Sequence, residues 1–218
     1  ALAIDPTVVE AHGARIGVLI GTHEYDKAKA EVDAALKLDP NSYEVHKEAA
    51  RLALRLHRYD DAIRHFEKCA SEMEIDFSAT GMLMTCYQAA GDAVGLKSAA
   101  ERTLVRTEKL LAQDPNNGSA LSMGIGALAY LGERDRAKEW TARAIIVDPE
   151  NSNMRYNIAC AFILDLRDYE GALDILEPAI AKFGKDRLAH AQTDPDLDAV
   201  REHPRFKAMI AAAEARLG

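Results

Sequence analysis

The sequence is poor in aromatic residues, in basic charge and in cysteine. Aromatic residues make up 6% of the 218 residues, which disfavours sheets because strands prefer aromatic and β-branched side chains. The 35 acidic residues outnumber the 27 Lys and Arg, so the net charge is −8 and nucleic acid is not expected as a partner. Cys69, Cys86 and Cys160 are odd in number and far apart, which excludes a disulfide framework and a zinc-finger spacing and fits a reducing compartment.

Long apolar runs are also missing. No stretch of about 18 apolar residues occurs, so no membrane span is predicted, and no signal peptide is recognisable. The chain lacks an initiator Met and starts in the middle of a repeat pattern, so we expect it to be a fragment of a longer protein. Alanine is abundant, which favours closely packed helices.

Asp-Pro pairs recur with a regular spacing. Pro6 and Pro40 are 34 residues apart, as are Pro115 and Pro149. A second mark is an alanine at a fixed place in the repeat, as in Ala28, Ala62, Ala137 and Ala172. A fixed period of this length is the signature of a repeat architecture. The predicted organisation is a tail of a preceding repeat at 1–6, five repeats at 7–40, 41–74, 75–115, 116–149 and 150–184, and a C-terminal cap at 185–218.

Each repeat is predicted to form two helices. The first carries apolar residues at helical spacing, a short turn follows, and the second helix ends at the Asp-Pro pair because Pro cannot continue a helix. The recurring alanine allows the two helices to approach closely. Repeat two has Glu74 where Pro is expected, with Asp76 available as a cap for the next helix.

Two further repeats depart from the pattern. Repeat three has Leu96 in place of the alanine and seven additional residues, which predicts a long second helix over about 92–113. Repeat five has Pro178 inside its second helix, where a kink is expected, and Gly184 is expected to end that helix.

The period and the Ala and Pro positions resemble the tetratricopeptide repeat (TPR). The resemblance implies an all-α fold, a TPR-type α-solenoid in which helix-turn-helix repeats form a right-handed superhelix, closed by a C-terminal capping helix. The apolar residues predicted to be buried by this cap are Leu197, Val200, Phe206, Met209 and Ile210.

A narrower resemblance covers about 75–206. The segments that carry it are 127–134, 137–140, 157–161, 194–198 and 204–206. They look like the C-terminal TPR module of bacterial multidomain signalling proteins of the class III adenylate cyclase, serine/threonine kinase and winged-helix regulator types. This implies a cytoplasmic interaction or regulatory module, and no catalytic residues of a cyclase or kinase are present to carry over.

Catalytic and metal motifs are not recognised in the sequence. Gly124, Gly126 and Gly132 do not have the spacing of a dinucleotide loop, and the seven histidines have no metal spacing. Asp194, Asp196 and Asp198 alternate as in part of a calcium loop but lack its Gly and distal Glu, so we interpret them as capping and turn residues. We therefore predict no enzyme activity, no cofactor and no metal.

The first helices are predicted to line a concave groove that binds a partner segment. The repeat register places these residues in the groove: Lys47, Arg51, Arg55, Met82, Thr85, Gln88, Ser122, Met123, Tyr130, Tyr156, Asn157 and Cys160. Lys47, Arg51 and Arg55 share one helix face and suit an acidic segment. Alternatively, they form a solvated face that is neutralised by Glu44 and Glu48.

Two functions follow from this interpretation. The first is a non-catalytic protein–protein interaction module that binds a partner peptide or segment in the groove. The second is an intramolecular regulatory or self-association module of a bacterial signalling enzyme. The unusually long helix over about 92–113 is either a docking handle or a peculiarity of the family.

Overall fold

The computed structural model describes residues 7–218, so the tail predicted at 1–6 lies outside the described residues. Helices dominate the chain, and no strand occurs within 7–218. Two compact units are present, with the boundary between Arg106 and Thr107. No helix in the described part of the chain is both long and apolar enough to cross a membrane.

Unit 1 is built from successive helical hairpins. Its helices are α1 (Val9–Gly21), α2 (Tyr25–Leu38), α3 (Tyr43–Arg55), α4 (Tyr59–Glu72) and α5 (Phe77–Ala90). Helix α6 (Ala93–Leu111) runs through the boundary into unit 2 and is 19 residues long, as the additional residues in repeat three predict.

Unit 2 continues with helices of similar length and then changes character. Its helices are α7 (Gly118–Tyr130), α8 (Arg134–Val147), α9 (Ser152–Ala161), α10 (Tyr169–Ile180), α11 (Lys185–Thr193), α12 (Asp198–Arg201) and α13 (Pro204–Leu217). A π-helical turn (Phe162–Leu166) extends α9, and a 3-10 turn (Pro195–Leu197) precedes α12.

The turn inside each hairpin depends on one residue in the left-handed region. These residues are His23, His57, Gly91, Gly132 and Arg167, with φ between 52° and 78°. A left-handed residue reverses the chain within a short turn, and glycine is the residue that adopts it without strain. The hydroxyls of Tyr25 and Tyr59, two residues after the histidines, lie 2.8 and 3.0 Å from His Nδ1.

Polar caps start the first helix of several hairpins. The Ser42 hydroxyl accepts a hydrogen bond from the backbone N–H of Val45, and the Asn117 and Asn151 side chains cap α7 and α9 in the same way. The Asp76 carboxylate accepts from the N–H groups of two residues at the start of α5. The predicted cap is therefore confirmed where repeat two has lost its proline.

Small residues lie where the two helices of a hairpin cross. Ala28, Ala62, Ala137 and Ala172 are all 0% exposed. In unit 1, Ala28 lies in an apolar cluster with Ile16, and Ala62 lies in a second cluster with Phe66. The absence of a long side chain at the crossing lets the helices come close enough for their larger side chains to interdigitate.

In the third hairpin the two helices approach each other most closely one residue before the position of the repeat alanine. Leu96 is buried, and the preceding residue, Gly95, lies directly against the Tyr87 ring of α5. A methyl group added at Gly95 would overlap that ring. The glycine therefore takes over the role that the repeat pattern assigns to an alanine at position 96.

The C-terminal helices cover α10. Helix α13 packs against α10 and buries Phe206 and Met209. Arg205 on α13 pairs with three acidic residues of α10, namely Glu170, Asp174 and Glu177. Leu197 and Val200 are buried as predicted, and Ile210 is half-buried.

One helix boundary was wrong in the sequence-based prediction. Helix α10 ends at Ile180, so Gly184 does not end it and instead precedes the first residue of α11. Gly184 has a φ of −80°, which is not the left-handed conformation that a glycine cap of a helix C-terminus requires.

Two glycines of α7 provide a matched test of the packing. A Cβ at Gly124 would overlap the Trp140 ring, whereas a Cβ at Gly126 meets nothing within 4 Å. We expect Gly124→Ala to lower the free energy of unfolding by about 1–3 kcal/mol through overpacking. We expect Gly126→Ala to raise it by about 0.5–1 kcal/mol, because alanine is the better helix former. Urea denaturation of the two variants checks this, and equal effects would contradict the packing.

Candidate functional site

Helix α3 of unit 1 carries a strip of three basic side chains. Lys47 lies over the Tyr43 ring, with Nζ 5.7 Å from the ring centroid, and forms no ion pair within 7–218. Arg51 donates to Glu48 Oε1 at 2.9 Å. Arg55 is exposed and likewise has no acidic partner among the described residues. We call Lys47, Arg51 and Arg55 the basic strip.

Glu48 only partly neutralises the basic strip. Its side chain is packed over Gly17 of α1, where an added Cβ would lie 3.4 Å from Glu48 Oε2. Glu48 is 9% exposed, and Oε2 has no hydrogen-bond partner among the described residues. Glu44 lies over Gly13 and does not pair with the strip within 7–218. Of the ion pairs that would neutralise the strip through Glu44 and Glu48, only Arg51–Glu48 is present among the described residues.

The neighbouring helix α5 adds apolar and neutral polar groups. Met82 is half-buried and packs against the core cluster of unit 1. Thr85 and Gln88 are exposed on the same helix. On α1 the corresponding positions are Gly13, Gly17 and Gly21, and a Cβ at Gly21 would meet nothing within 4 Å. Unit 1 therefore presents cationic, apolar and hydrogen-bonding groups beside a helix with few side chains.

Unit 2 presents a less charged surface. Ser122, Met123 and Tyr130 are half-buried on α7, and Asn157 is exposed on α9. Gly126 lies between Met123 and Tyr130 in the sequence, and a Cβ added there would meet nothing within 4 Å. None of these four predicted residues forms a hydrogen bond or an ion pair through its side chain within 7–218, so their polar groups are available to a partner.

Tyr156 does not belong to an open groove, and its prediction as a binding residue was wrong. It is 3% exposed, and its hydroxyl donates to Asp194 Oδ2 at 2.5 Å. The rings of Phe183 and His190 lie about 6 Å away, and the Arg187 guanidinium lies 4.3 Å above the Tyr156 ring. Burial and the hydrogen bond to Asp194 raise the pKa of Tyr156.

The covering of Tyr156 has a simple cause. Residues 183–194, which the sequence assigned to the end of repeat five and to the cap, fold back over α9. Cys160, one turn further along α9, is covered as well and is 8% exposed. The repeat register alone does not show which first helix is followed by such a segment.

An acidic group surrounds the end of α9. Cys160, Asp194 and Asp196 place their donor atoms within 4.8 Å of one another. Asp165 in the π-helical turn is a further member that the sequence analysis missed, and burial together with Asp196 raises its pKa to about 6. Asp194 also accepts from the backbone N–H of Asp196, which confirms its predicted role as a turn and capping residue.

A cavity lies between α10 and α13. Its volume is about 480 Å³, and its apolar wall includes Ile180, Met209 and Ala213. Arg205 at its rim is already engaged by the acidic residues of α10. This cavity is not indicated by the sequence, because it depends on how the C-terminal helix packs.

A histidine pair links α3 to α4. His46 Nδ1 and His65 Nδ1 are 2.8 Å apart, and His46 Nε2 is 2.9 Å from the Pro40 carbonyl oxygen. A carbonyl only accepts, so His46 donates through Nε2 and accepts through Nδ1 from His65. This pattern places a single proton between the two Nδ1 atoms. Burial, and next the neighbouring His46, lower the pKa of His65 to about 4.

The histidine pair predicts a pH-dependent stability. The unfolded chain binds the proton of His65 near pH 6.5, whereas the folded chain binds it only near pH 4, so stability is lost as the pH falls through this window. We expect a loss of about 1–2 kcal/mol, reduced by solvent screening because the ring is half-buried.

Urea denaturation between pH 4 and 7 checks the effect of His65. In His65→Asn the amide still donates to His46 but cannot titrate, so the dependence on pH becomes shallower. The control His57→Asn changes an exposed turn residue and leaves the dependence unchanged. Identical curves for His65→Asn and the parent chain would contradict this assignment.

No family model matches the chain. Two proteins of Oryza sativa subsp. japonica, DnaJ protein P58IPK homolog A and homolog B, are each 26% identical to it, over 161 and 160 residues. The matches cover 71% of this chain and 34% of each relative, so the chain spans about a third of their length.

Three solved structures share the helical arrangement. YrrB, a TPR protein with an unusual peptide-binding site, has a TM-score of 0.55 at 21% identity, over 83% of this chain and 89% of its own. A thermophilic TPR protein of Thermus thermophilus has 0.61 at 21%, over 95% and 100%. PilW, a type IV pilus biogenesis factor, has 0.63 at 16%, over 96% and 92%. The chain therefore has the all-α fold of a TPR solenoid.

Proposed function

We propose that the chain is a non-catalytic protein-interaction module and that unit 1 binds an acidic peptide segment along α1, α3 and α5. The observation that carries the proposal is the incomplete neutralisation of the basic strip. Lys47 and Arg55 have no acidic partner within 7–218, although the chain as a whole carries an excess of acidic residues. A free cationic strip on an acidic protein selects an acidic partner and disfavours contact with a second copy of the same surface.

The neighbouring groups suit a peptide better than a compact small molecule. Thr85 and Gln88 offer donors and acceptors to a peptide backbone, and Met82 offers an adaptable apolar contact. The open backbone at Gly21 leaves space for a chain to pass. The likeness to YrrB, described as having a peptide-binding site, supports this choice of ligand class.

Unit 2 is proposed as a separate, less charged peptide surface. Met123 and Tyr130 provide apolar area, and Ser122 and Asn157 provide hydrogen-bonding groups. A partner held by such groups is selected by shape and hydrogen bonding more than by charge. Its affinity is accordingly expected to depend little on salt, in contrast to binding by unit 1.

A self-association or regulatory function is the second proposal, and the surface of α6 favours it. Val94 is 83% exposed and Val105 is 63% exposed. They are eleven residues apart, about three helical turns, and therefore lie on the same side of the helix. Exposed apolar side chains at this spacing suit docking to another helix. Sedimentation velocity at increasing concentration tests it, and a monomer at all concentrations would contradict self-association.

The proposed module is bacterial and cytoplasmic, and the regulatory proposal places it in a signalling protein of the cyclase or kinase type. The resemblance of 75–206 to such modules supports this origin. The three cysteines are free and buried, which suits a reducing compartment. Neither nucleic acid nor a membrane surface is proposed as a partner, because the net charge is −8.

Charge reversal tests the binding surface of unit 1. Lys47→Glu with Arg55→Glu removes the two unpaired cations and leaves the Arg51–Glu48 pair intact. We expect this double variant to bind a fluorescein-labelled peptide of alternating Glu and Leu at least about tenfold more weakly, and the affinity of the parent chain to fall with added salt. Fluorescence anisotropy gives both affinities.

The matched control changes the same total charge on other helices. Lys29 on α2 and Lys97 on α6 are exposed and unpaired among the described residues, so Lys29→Glu with Lys97→Glu should retain the affinity. The proposal is overturned if both double variants bind equally. It is also overturned if a Lys and Leu peptide binds the parent chain as well as the Glu and Leu peptide does.

A further inference from the structure

A thiol and two carboxylates converge at one point of unit 2. Cys160 lies near the end of α9, and Asp194 and Asp196 lie at the 3-10 turn after α11. The Cys160 sulfur and one oxygen of each carboxylate are all within 4.8 Å of one another. Residues that are more than thirty positions apart in the sequence thus bring three metal-ligating groups together.

Two of the three groups have no other partner. Cys160 is 8% exposed, and its thiol forms no hydrogen bond with another residue in the described part of the chain. Cys69, by contrast, donates to the Tyr43 carbonyl at 3.7 Å. The Asp196 carboxylate is half-buried and forms neither a hydrogen bond nor an ion pair within 7–218. The Cys160 sulfur and the Asp196 carboxylate are therefore both free to bind a ligand between them.

The third group is held in place by its surroundings. The Tyr156 hydroxyl donates to Asp194 Oδ2 at 2.5 Å, and His190 Nε2 lies 3.1 Å from the same oxygen. The Asp196 N–H donates to Asp194 Oδ1 at 3.0 Å. Asp194 Oδ1, which accepts from the Asp196 N–H alone, keeps a further lone pair. Outer hydrogen bonds of this kind orient the carboxylates that bind metal ions.

No basic side chain among the described residues neutralises Cys160 or Asp196 by direct pairing. Arg187, the nearby cation, stacks on the Tyr156 ring and forms no ion pair with Asp194 or Asp196. His190 is the neighbouring residue that places a nitrogen beside Asp194. The arrangement therefore combines two carboxylates and a buried sulfur, with Arg187 as the neighbouring cation and His190 as an outer imidazole.

We propose that Cys160, Asp194 and Asp196 bind one divalent transition-metal ion of the zinc class, with solvent at the remaining position and His190 as an outer partner of Asp194. Sulfur selects Zn²⁺ or Co²⁺ over Mg²⁺ and Ca²⁺, which prefer oxygen ligands alone. Tetrahedral coordination brings ligand atoms to about 3.3–3.6 Å from one another. Binding therefore requires the three donor atoms, which lie within 4.8 Å of one another, to move closer together.

The coordination step is balanced without a redox partner. The sulfur supplies an electron pair to the metal, and the thiol proton passes to the solvent. The ion joins the end of α9 to the turn that follows α11. Binding therefore stabilises the fold of unit 2 and is independent of the proposed peptide surface of unit 1.

Cobalt provides a direct readout of sulfur coordination. We expect titration of the full chain with Co²⁺, under a thiol-free reductant, to produce a sulfur-to-cobalt charge-transfer band that saturates at one equivalent and is bleached by Zn²⁺. The band should be absent in Cys160→Ser and present in the control Cys86→Ser, in which another buried cysteine is replaced. Circular dichroism confirms that each variant is folded.

Asp196→Asn provides a second test that does not alter the buried sulfur. The amide keeps the shape of the carboxylate and removes a charge, so the variant should fold and bind Co²⁺ at least about tenfold more weakly. The proposal is overturned if the parent chain shows no such band. It is equally overturned if the band persists in the folded Cys160→Ser variant.

Discussion

The structure depends on the close approach of two helices at a small residue. Ala28, Ala62, Ala137 and Ala172 occupy this place in four hairpins, and each is fully buried. With no long side chain at the crossing, the larger apolar groups of both helices interlock around it. Each hairpin buries only part of its apolar surface alone, so neighbouring hairpins must stack, and stacking leaves the first helices with a free face.

Much of the fold was predictable because the repeat depends on residues that determine the local backbone conformation. The left-handed glycines Gly91 and Gly132, and the cap at Asp76, follow from short-range chemistry. The replacement of the alanine at position 96 by Gly95 was not predicted, since it depends on where the Tyr87 ring lies. The boundary at Gly184 was missed because a glycine near the end of a helix is compatible with either side of the turn.

The candidate site was predictable where it depends on one helix and not where it depends on distant segments. The spacing of Lys47 and Arg51 places them on one face, but only the structure shows that Glu48 packs over α1 and pairs with Arg51 alone. Tyr156 and Cys160 were placed in the groove by register, and the following segment covers both. The same covering creates the cluster with Asp194, which no sequence spacing indicated.

Replacing either of two alanines in α8 by leucine tests directly whether small residues set the helix approach. Ala137 is fully buried at the crossing, whereas Ala142 is exposed on the same helix. If small residues set the helix approach, Ala137→Leu lowers the free energy of urea unfolding by about 1–3 kcal/mol, and Ala142→Leu changes it by less than about 0.5 kcal/mol. Equal unfolding free energies for the two variants would contradict the account.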